Sequence, residues 1–194
     1  MRAIATLCLF ACTVFLPALA SGASRSPDLG AAVIGTIKVG GAFSLTGDGA
    51  ALDQEAADGA RLAVTEINRT GKLLGKNVEI VLRDSQSRPE MAEQVARQLA
   101  EKDRVVAILG YSDTDSALAA RYVVQEHRIP FIAVGATSPR LPAEGGEMMF
   151  LACFGDNVQA AAGAEFAFGH FGPNACLLWD EGMDYTRLLA GYFK

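Results

Sequence analysis

Three stretches of this 194-residue chain gather hydroxyls, carboxylates and glycines into short runs. They are Ser44-Leu45-Thr46-Gly47-Asp48-Gly49, Gly110-Tyr111-Ser112-Asp113-Thr114-Asp115-Ser116 and Gly135-Ala136-Thr137-Ser138-Pro139. Hydroxyls and free backbone N–H groups at a helix start can hold an anion such as an α-carboxylate. The same residue types also cap helices and shape turns, which needs no ligand. Sequence alone leaves both roles open.

Other chemistry finds less support. No CxxC, HExxH or G-x-S-x-G occurs, and the glycines between Gly35 and Gly41 follow no strand and open no helix, so they fail as a dinucleotide fingerprint. His127 and His170 fall late in helical patterns, as surface or helix-end residues do. Asp84, Asp113, Asp115 and Asp180 lie at strand ends without a nucleophile or metal-spaced partner, so loop capping is their expected role. An enzyme, a metal site and a cofactor are therefore not expected. A formal net charge of −5 gives no basic face for nucleic acid. Cys153 and Cys176 each sit in an apolar, strand-like run and are expected as buried thiols, with a disulfide permitted after export.

The elements that must position these loops follow from periodicity. Ile37 to Phe43 reads as a strand, and Asp53 opens a helix with Ala56, Ala60, Ala63, Val64 and Ile67 on one face, closed by Gly71. Val78 to Leu82 is a second strand. Ser87-Arg88-Pro89-Glu90 reads as a capping box, opening a helix to about Lys102 whose Met91, Val95 and Leu99 face the sheet. Val105 to Leu109, Ile129 to Val134 and Met148 to Ala152 are further strands, with a helix over Ser116 to Glu126. A helix over Val158 to Phe171, a sixth strand at Ala175 to Leu178 and a helix from Tyr185 to Phe193 complete the pattern. Strand–helix alternation at this spacing predicts an α/β fold with a doubly wound parallel sheet and right-handed crossovers. In such sheets, ligands bind outside the carboxyl ends of the strands, where the three loops fall.

The N-terminus has an export signature. Met1-Arg2 is a short positive start, Ile4 to Leu19 is nearly all apolar, and Ala18-Leu19-Ala20 has the small-x-small form of a cleavage site. Residues 1–20 are expected as a signal peptide and 21–35 as a lead-in. The apolar run is short for a transmembrane anchor, so the mature protein is expected in the periplasm without a membrane span.

The order of these pieces resembles a known family. Gly41-Ala42-Phe43-Ser44-Leu45-Thr46-Gly47, the helix Gly59-Ala60-Arg61-Leu62-Ala63-Val64-Thr65-Glu66-Ile67-Asn68, Arg83-Asp84-Ser85-Gln86-Ser87, Ile129-Pro130-Phe131-Ile132 and Ala136-Thr137-Ser138-Pro139-Arg140-Leu141 are similar to the periplasmic leucine/isoleucine/valine-binding proteins, type I solute-binding proteins of branched-chain amino-acid ABC transporters. The resemblance implies two α/β lobes that close on an amino acid. The first lobe would be residues 36–152, nearly complete, and residues 153–194 the start of the second. It implies that Thr114 and Thr137 bind the ligand's carboxylate, helped by backbone at Gly135. Tyr185 would contribute from the second lobe, although a local packing role for it stays open. An ABC transporter permease would be the partner. Where the family often has an aromatic covering the ligand side chain, this chain has Ala50-Ala51-Leu52, which leaves the particular amino acid open. In the family's pattern, the acid that pairs with the ligand's ammonium and the return segments of both lobes lie beyond Lys194, so the chain is expected to be an N-terminal portion. A ligand-sensing receptor domain for amides, urea or aromatic acids, or a truncated fragment without function, are the alternatives.

Overall fold

The structure, a computed structural model, describes residues 35–194; the expected signal segment and almost all of the lead-in lie outside the described residues. Five strands form one parallel sheet: β1 (Thr36–Phe43), β2 (Asn77–Asp84), β3 (Ile108–Gly110), β4 (Phe131–Ala133) and β5 (Met149–Leu151), in the order β2-β1-β3-β4-β5. Seven α-helices accompany them: α1 (Ala50–Thr70), α2 (Pro89–Gln98), α3 (Thr114–Ala119), α4 (Arg121–His127), α5 (Arg140–Gly145), α6 (Asp156–Phe171) and α7 (Asp184–Phe193). From β1 the chain moves to one side to form β2, then crosses to the other side for β3, β4 and β5. Right-handed crossovers in opposite directions put α1 and α2 on opposite faces, and the reversal leaves a switch point between β1 and β3.

The core lies on the α2–α5 face. Leu99, Ile108, Val123, Val124, Phe131, Leu141 and Met149 are each at most 2% exposed. Tyr111 is buried among them, its ring 6.2 Å from that of Phe131 and its hydroxyl donating to the Ala92 carbonyl at 3.2 Å. The predicted inward residues of α2 behave as expected: Val95 and Leu99 are buried and Met91 half-buried, with the helix prolonged by a π-turn over Leu99–Asp103.

α1 differs from its expected face. Asp53 and Ala57 are buried and Ala56, Ala60, Val64 and Asn68 half-buried, whereas Ala63 and Ile67 point to solvent. Asn68 sets this rotation, because its side-chain amide donates to Val78 O and accepts from Val78 N, both at 2.8 Å, and completes the start of β2. Four further expectations change. The helix expected at Ser116 to Glu126 begins earlier and is divided at Ala120 into α3 and α4. The capping box does not form: Gln86 and Ser87 have φ of 58° and 57°, which turns Ser87 away from α2 toward the first loop. The sixth strand is absent among the described residues, since 173–180 has no neighbouring strand to pair with. Cys176 in that run is consequently exposed, Cys153 is half-buried, and both thiols are free rather than core hydrophobes. No described helix is long and apolar enough to cross a membrane.

Candidate ligand-binding site

The carboxyl ends of β1, β3 and β4 come together at the switch point, and one side chain ties two of the loops that follow. Asp53, in the first turn of α1 and 1% exposed, accepts from the Ser44 N–H at 2.6 Å and from the Ser112 N–H at 3.0 Å. Asp53 reads from the sequence only as a helix opener; nothing local signals a carboxylate that bridges β1 and β3.

The first loop is spent on structure. Asp84 at the end of β2 accepts from the Leu45 and Thr46 N–H groups at 2.9 and 3.2 Å and from the Thr46 hydroxyl at 2.7 Å. Burial opposes its charge, but the Thr46 hydroxyl and the N–H groups of Gln86, Thr46 and Leu45 hold its carboxyl below the usual range. Ser87 Oγ donates to Thr46 O and accepts from Gly49 N, while the Ser44 and Ser85 hydroxyls pair at 3.0 Å. Hydroxyls that the sequence offered for ligand binding are thus consumed in holding the β1 and β2 ends together.

The second and third loops open onto a cavity of about 380 Å3. Its wall includes Leu52 from α1, Ser112 and Thr114 after β3, Gly135 and Thr137 after β4, and Tyr185 at the start of α7. All four residues singled out from the sequence therefore share one opening. Thr114 is the first residue of α3 and 4% exposed; Asp113 before it caps that helix by accepting from Ser116 N at 2.7 Å. Gly135 has no room for a side chain, since a Cβ there would lie 2.8 Å from Ser112 Oγ and 2.9 Å from Ser112 Cα. That close approach brings the β3 and β4 loops to the cavity together.

The remaining wall is mixed. Leu52 and Met183 are apolar, and Leu52 stands in the stretch where the resemblance called for an aromatic. Asp115 also lines the cavity; burial first, then the charges of Asp184 and Asp113, push its carboxyl up, against the pull of Arg140. Arg140, opening α5, donates to Asp184 at 2.7 Å and to Glu144 at 2.6 Å. Asp184 precedes Tyr185, so this pair, with Arg187 on the same carboxylate, anchors the first turn of α7 at the rim. Ser112 and Asp115 belong to the second of the three loops, whereas Met183 reaches the cavity through tertiary contacts that local sequence does not signal.

A parallel sheet with a switch-point cavity lined by hydroxyls, a tight glycine and an aromatic is the architecture of a small-solute binder. A family model described as periplasmic binding protein matches residues 36–189, and the chain belongs to that family. It is 28% identical over 148 residues to an amino acid binding protein of Pseudomonas aeruginosa, covering 76% of this chain and 40% of the relative. It is also 28% identical over 159 residues to the leucine-, isoleucine-, valine-, threonine- and alanine-binding protein of the same species, covering 82% of this chain and 42% of the relative. Among solved structures it resembles the branched-chain amino acid transporter substrate binding protein LivJ of Streptococcus pneumoniae in complex with isoleucine. That likeness has 29% identity and a TM-score of 0.77, covering 82% of this chain and 46% of the neighbour. The chain thus spans less than half the length of each of these relatives.

Proposed function

We propose that this chain is the solute-capturing part of an ABC transporter, taking a branched-chain or related amino acid in the periplasm for delivery to a permease, and that it is not an enzyme. The observation that carries the reading is the convergence of Thr114, Gly135, Thr137 and Tyr185 on one cavity at the carboxyl ends of β3 and β4. At about 380 Å3 the cavity falls in the range of small-molecule sites, roughly 300–1,000 Å3. In this reading Thr114, with the loop N–H groups beside it, receives the α-carboxylate, and Thr137 contacts the polar end of the same solute. Leu52 and Met183 accept the aliphatic side chain, and Tyr185 covers it. Names of the relatives support the solute class, since they bind leucine, isoleucine and similar amino acids. Residues 36–152 would form the first lobe and 153–194 the start of the second, with closure burying the ligand between them. Residues 1–20 would be removed on export.

Calorimetry with a panel of amino acids tests this. Leucine, isoleucine or valine should bind, and Thr114→Ala and Thr137→Ala should each weaken binding by about 10- to 100-fold, the worth of one hydrogen bond to a charged group. The Arg97 guanidinium, in an exposed cluster with Glu93, Glu101 and Glu126, provides a control whose alanine variant should leave affinity unchanged. Equal affinity in the threonine variants and the unaltered chain would overturn the assignment.

A further inference from the structure

We propose that Asp115 is a specificity-determining residue of this cavity: its carboxylate, on a wall without a cation, admits zwitterionic solutes and turns away monoanionic acids. This filter rests on the reading of the cavity as an amino-acid site, to which it adds the charge of the accepted solute.

Asp115 lies in the first turn of α3, next to Thr114, and lines the opening. Its carboxylate has no hydrogen-bond donor and no ion-pair partner among the described residues. Asp113 is the other charged residue on the wall, and no described lysine, arginine or histidine lines it. Arg140 is the guanidinium whose field reaches Asp115, but it is spent on Asp184 at 2.7 Å and Glu144 at 2.6 Å. Burial, and then the charges of Asp184 and Asp113, oppose the ionisation of Asp115, so the local field is that of carboxylates. Donors that could hold an anion are also taken by the protein itself. The Ser112 N–H goes to Asp53 at 3.0 Å and the Ser116 N–H to Asp113 at 2.7 Å. The Thr114 hydroxyl is left. That residue is 4% exposed and lines the cavity, and its side chain has no partner among the described residues.

The consequence is electrostatic. A hydroxyl holds a carboxylate by a hydrogen bond but does not neutralise it. An α-amino acid carries its ammonium on the carbon next to its carboxylate, so the two fields largely cancel at Asp115. A monoanionic acid brings the carboxylate alone and meets Asp115 uncompensated. For like charges a few ångströms apart in a partly enclosed site, that costs about 10-fold or more in affinity. The cavity therefore reads net charge as well as shape.

The test compares leucine with 4-methylpentanoate, which has the same side chain and carboxylate but no amino group and is a monoanion at neutral pH. Proton–nitrogen spectra of the 194-residue chain, read at the Thr114 and Gly135 amides, give the affinity for each. Asp115→Asn should raise the affinity for 4-methylpentanoate relative to that for leucine by about 10-fold or more. Asp115→Ser removes the same charge with a smaller side chain and should raise the ratio likewise, which separates charge from shape. A merely structural role would move both ligands together and leave the ratio unchanged; that outcome overturns the proposal. An unaltered chain that binds 4-methylpentanoate as tightly as leucine overturns it too. Failure of the unaltered chain to bind leucine would contradict the amino-acid reading, while the gain or absence of gain for 4-methylpentanoate in the two variants would still rule on Asp115.

Discussion

Gly110→Ala is expected to lower the denaturation midpoint of this protein sharply. Gly110 ends β3 beside Ala42 of β1, with φ of 155°, and a Cβ built there would lie 1.9 Å from the Ala42 carbonyl oxygen. The obstacle is backbone in the middle of the sheet, so no side chain can rotate away and the β1–β3 ladder must shift. Overpacking of a close-packed interior usually costs about 1–3 kcal/mol, and a clash with fixed backbone belongs at or above the top of that range. Against a typical total of roughly 5–15 kcal/mol, such a loss takes a large part of the stability. Urea denaturation followed by circular dichroism measures it. Gly59→Ala is the matched control: nothing lies within 4 Å of a Cβ at this position in α1, and alanine should stabilise the helix by about 0.8–1 kcal/mol. If Gly110→Ala were as stable as Gly59→Ala, the close pairing of β1 and β3 would be wrong.

Asp53→Ala is expected to be nearly as damaging and to harm the cavity as well. The carboxylate accepts from the N–H groups of Ser44 and Ser112, which follow β1 and β3, at 2.6 and 3.0 Å. Alanine leaves both donors without their acceptor, the Ser44 N–H in a buried place and the Ser112 N–H in a half-buried one, and each unsatisfied buried group costs about 1–3 kcal/mol. A combined loss of about 2–4 kcal/mol is therefore expected, since water can partly satisfy the Ser112 N–H, and Asp53→Asn, which keeps one acceptor, should lose less. Because Ser112 also lines the cavity, leucine affinity should fall in both variants in the same order. A midpoint unchanged in Asp53→Ala would show that the two loops hold together without this bridge.

Much of the architecture is legible in the sequence. Short apolar runs between helical patterns mark every strand of the parallel sheet, and the loops after the third and fourth strands carry Thr114, Gly135 and Thr137 to one opening, with Tyr185 on the same wall. What escaped were side chains acting at a distance. Asp53 reads as an ordinary acidic first turn, yet its partner Ser112 is 59 positions away in sequence. Ser87 fits a capping box by spacing, but the backbone turn at Gln86 and Ser87 hands it to the first loop instead. The hydroxyls of Ser44 and Thr46 matched those of the other two loops in type, and only tertiary hydrogen bonds distinguish structural from cavity-facing ones. The apolar run around Cys176 failed as a strand because strands need a neighbour, which periodicity does not supply. The face of α1 was misplaced by about one helical position because Asn68, a polar residue, pins the helix to β2.

In the proposed function, two loops at adjacent strand tips, joined by one aromatic helix start, grip a small amino acid. Proton–nitrogen correlation spectra of the labelled chain, titrated with leucine, address it most directly, because they register even weak, rapidly exchanging ligands. Shifts should concentrate at the amides of Ser112, Thr114, Gly135, Thr137 and Tyr185 and saturate together. Saturable shifts confined to other parts of the chain, or none at these five amides while leucine demonstrably binds, would contradict it.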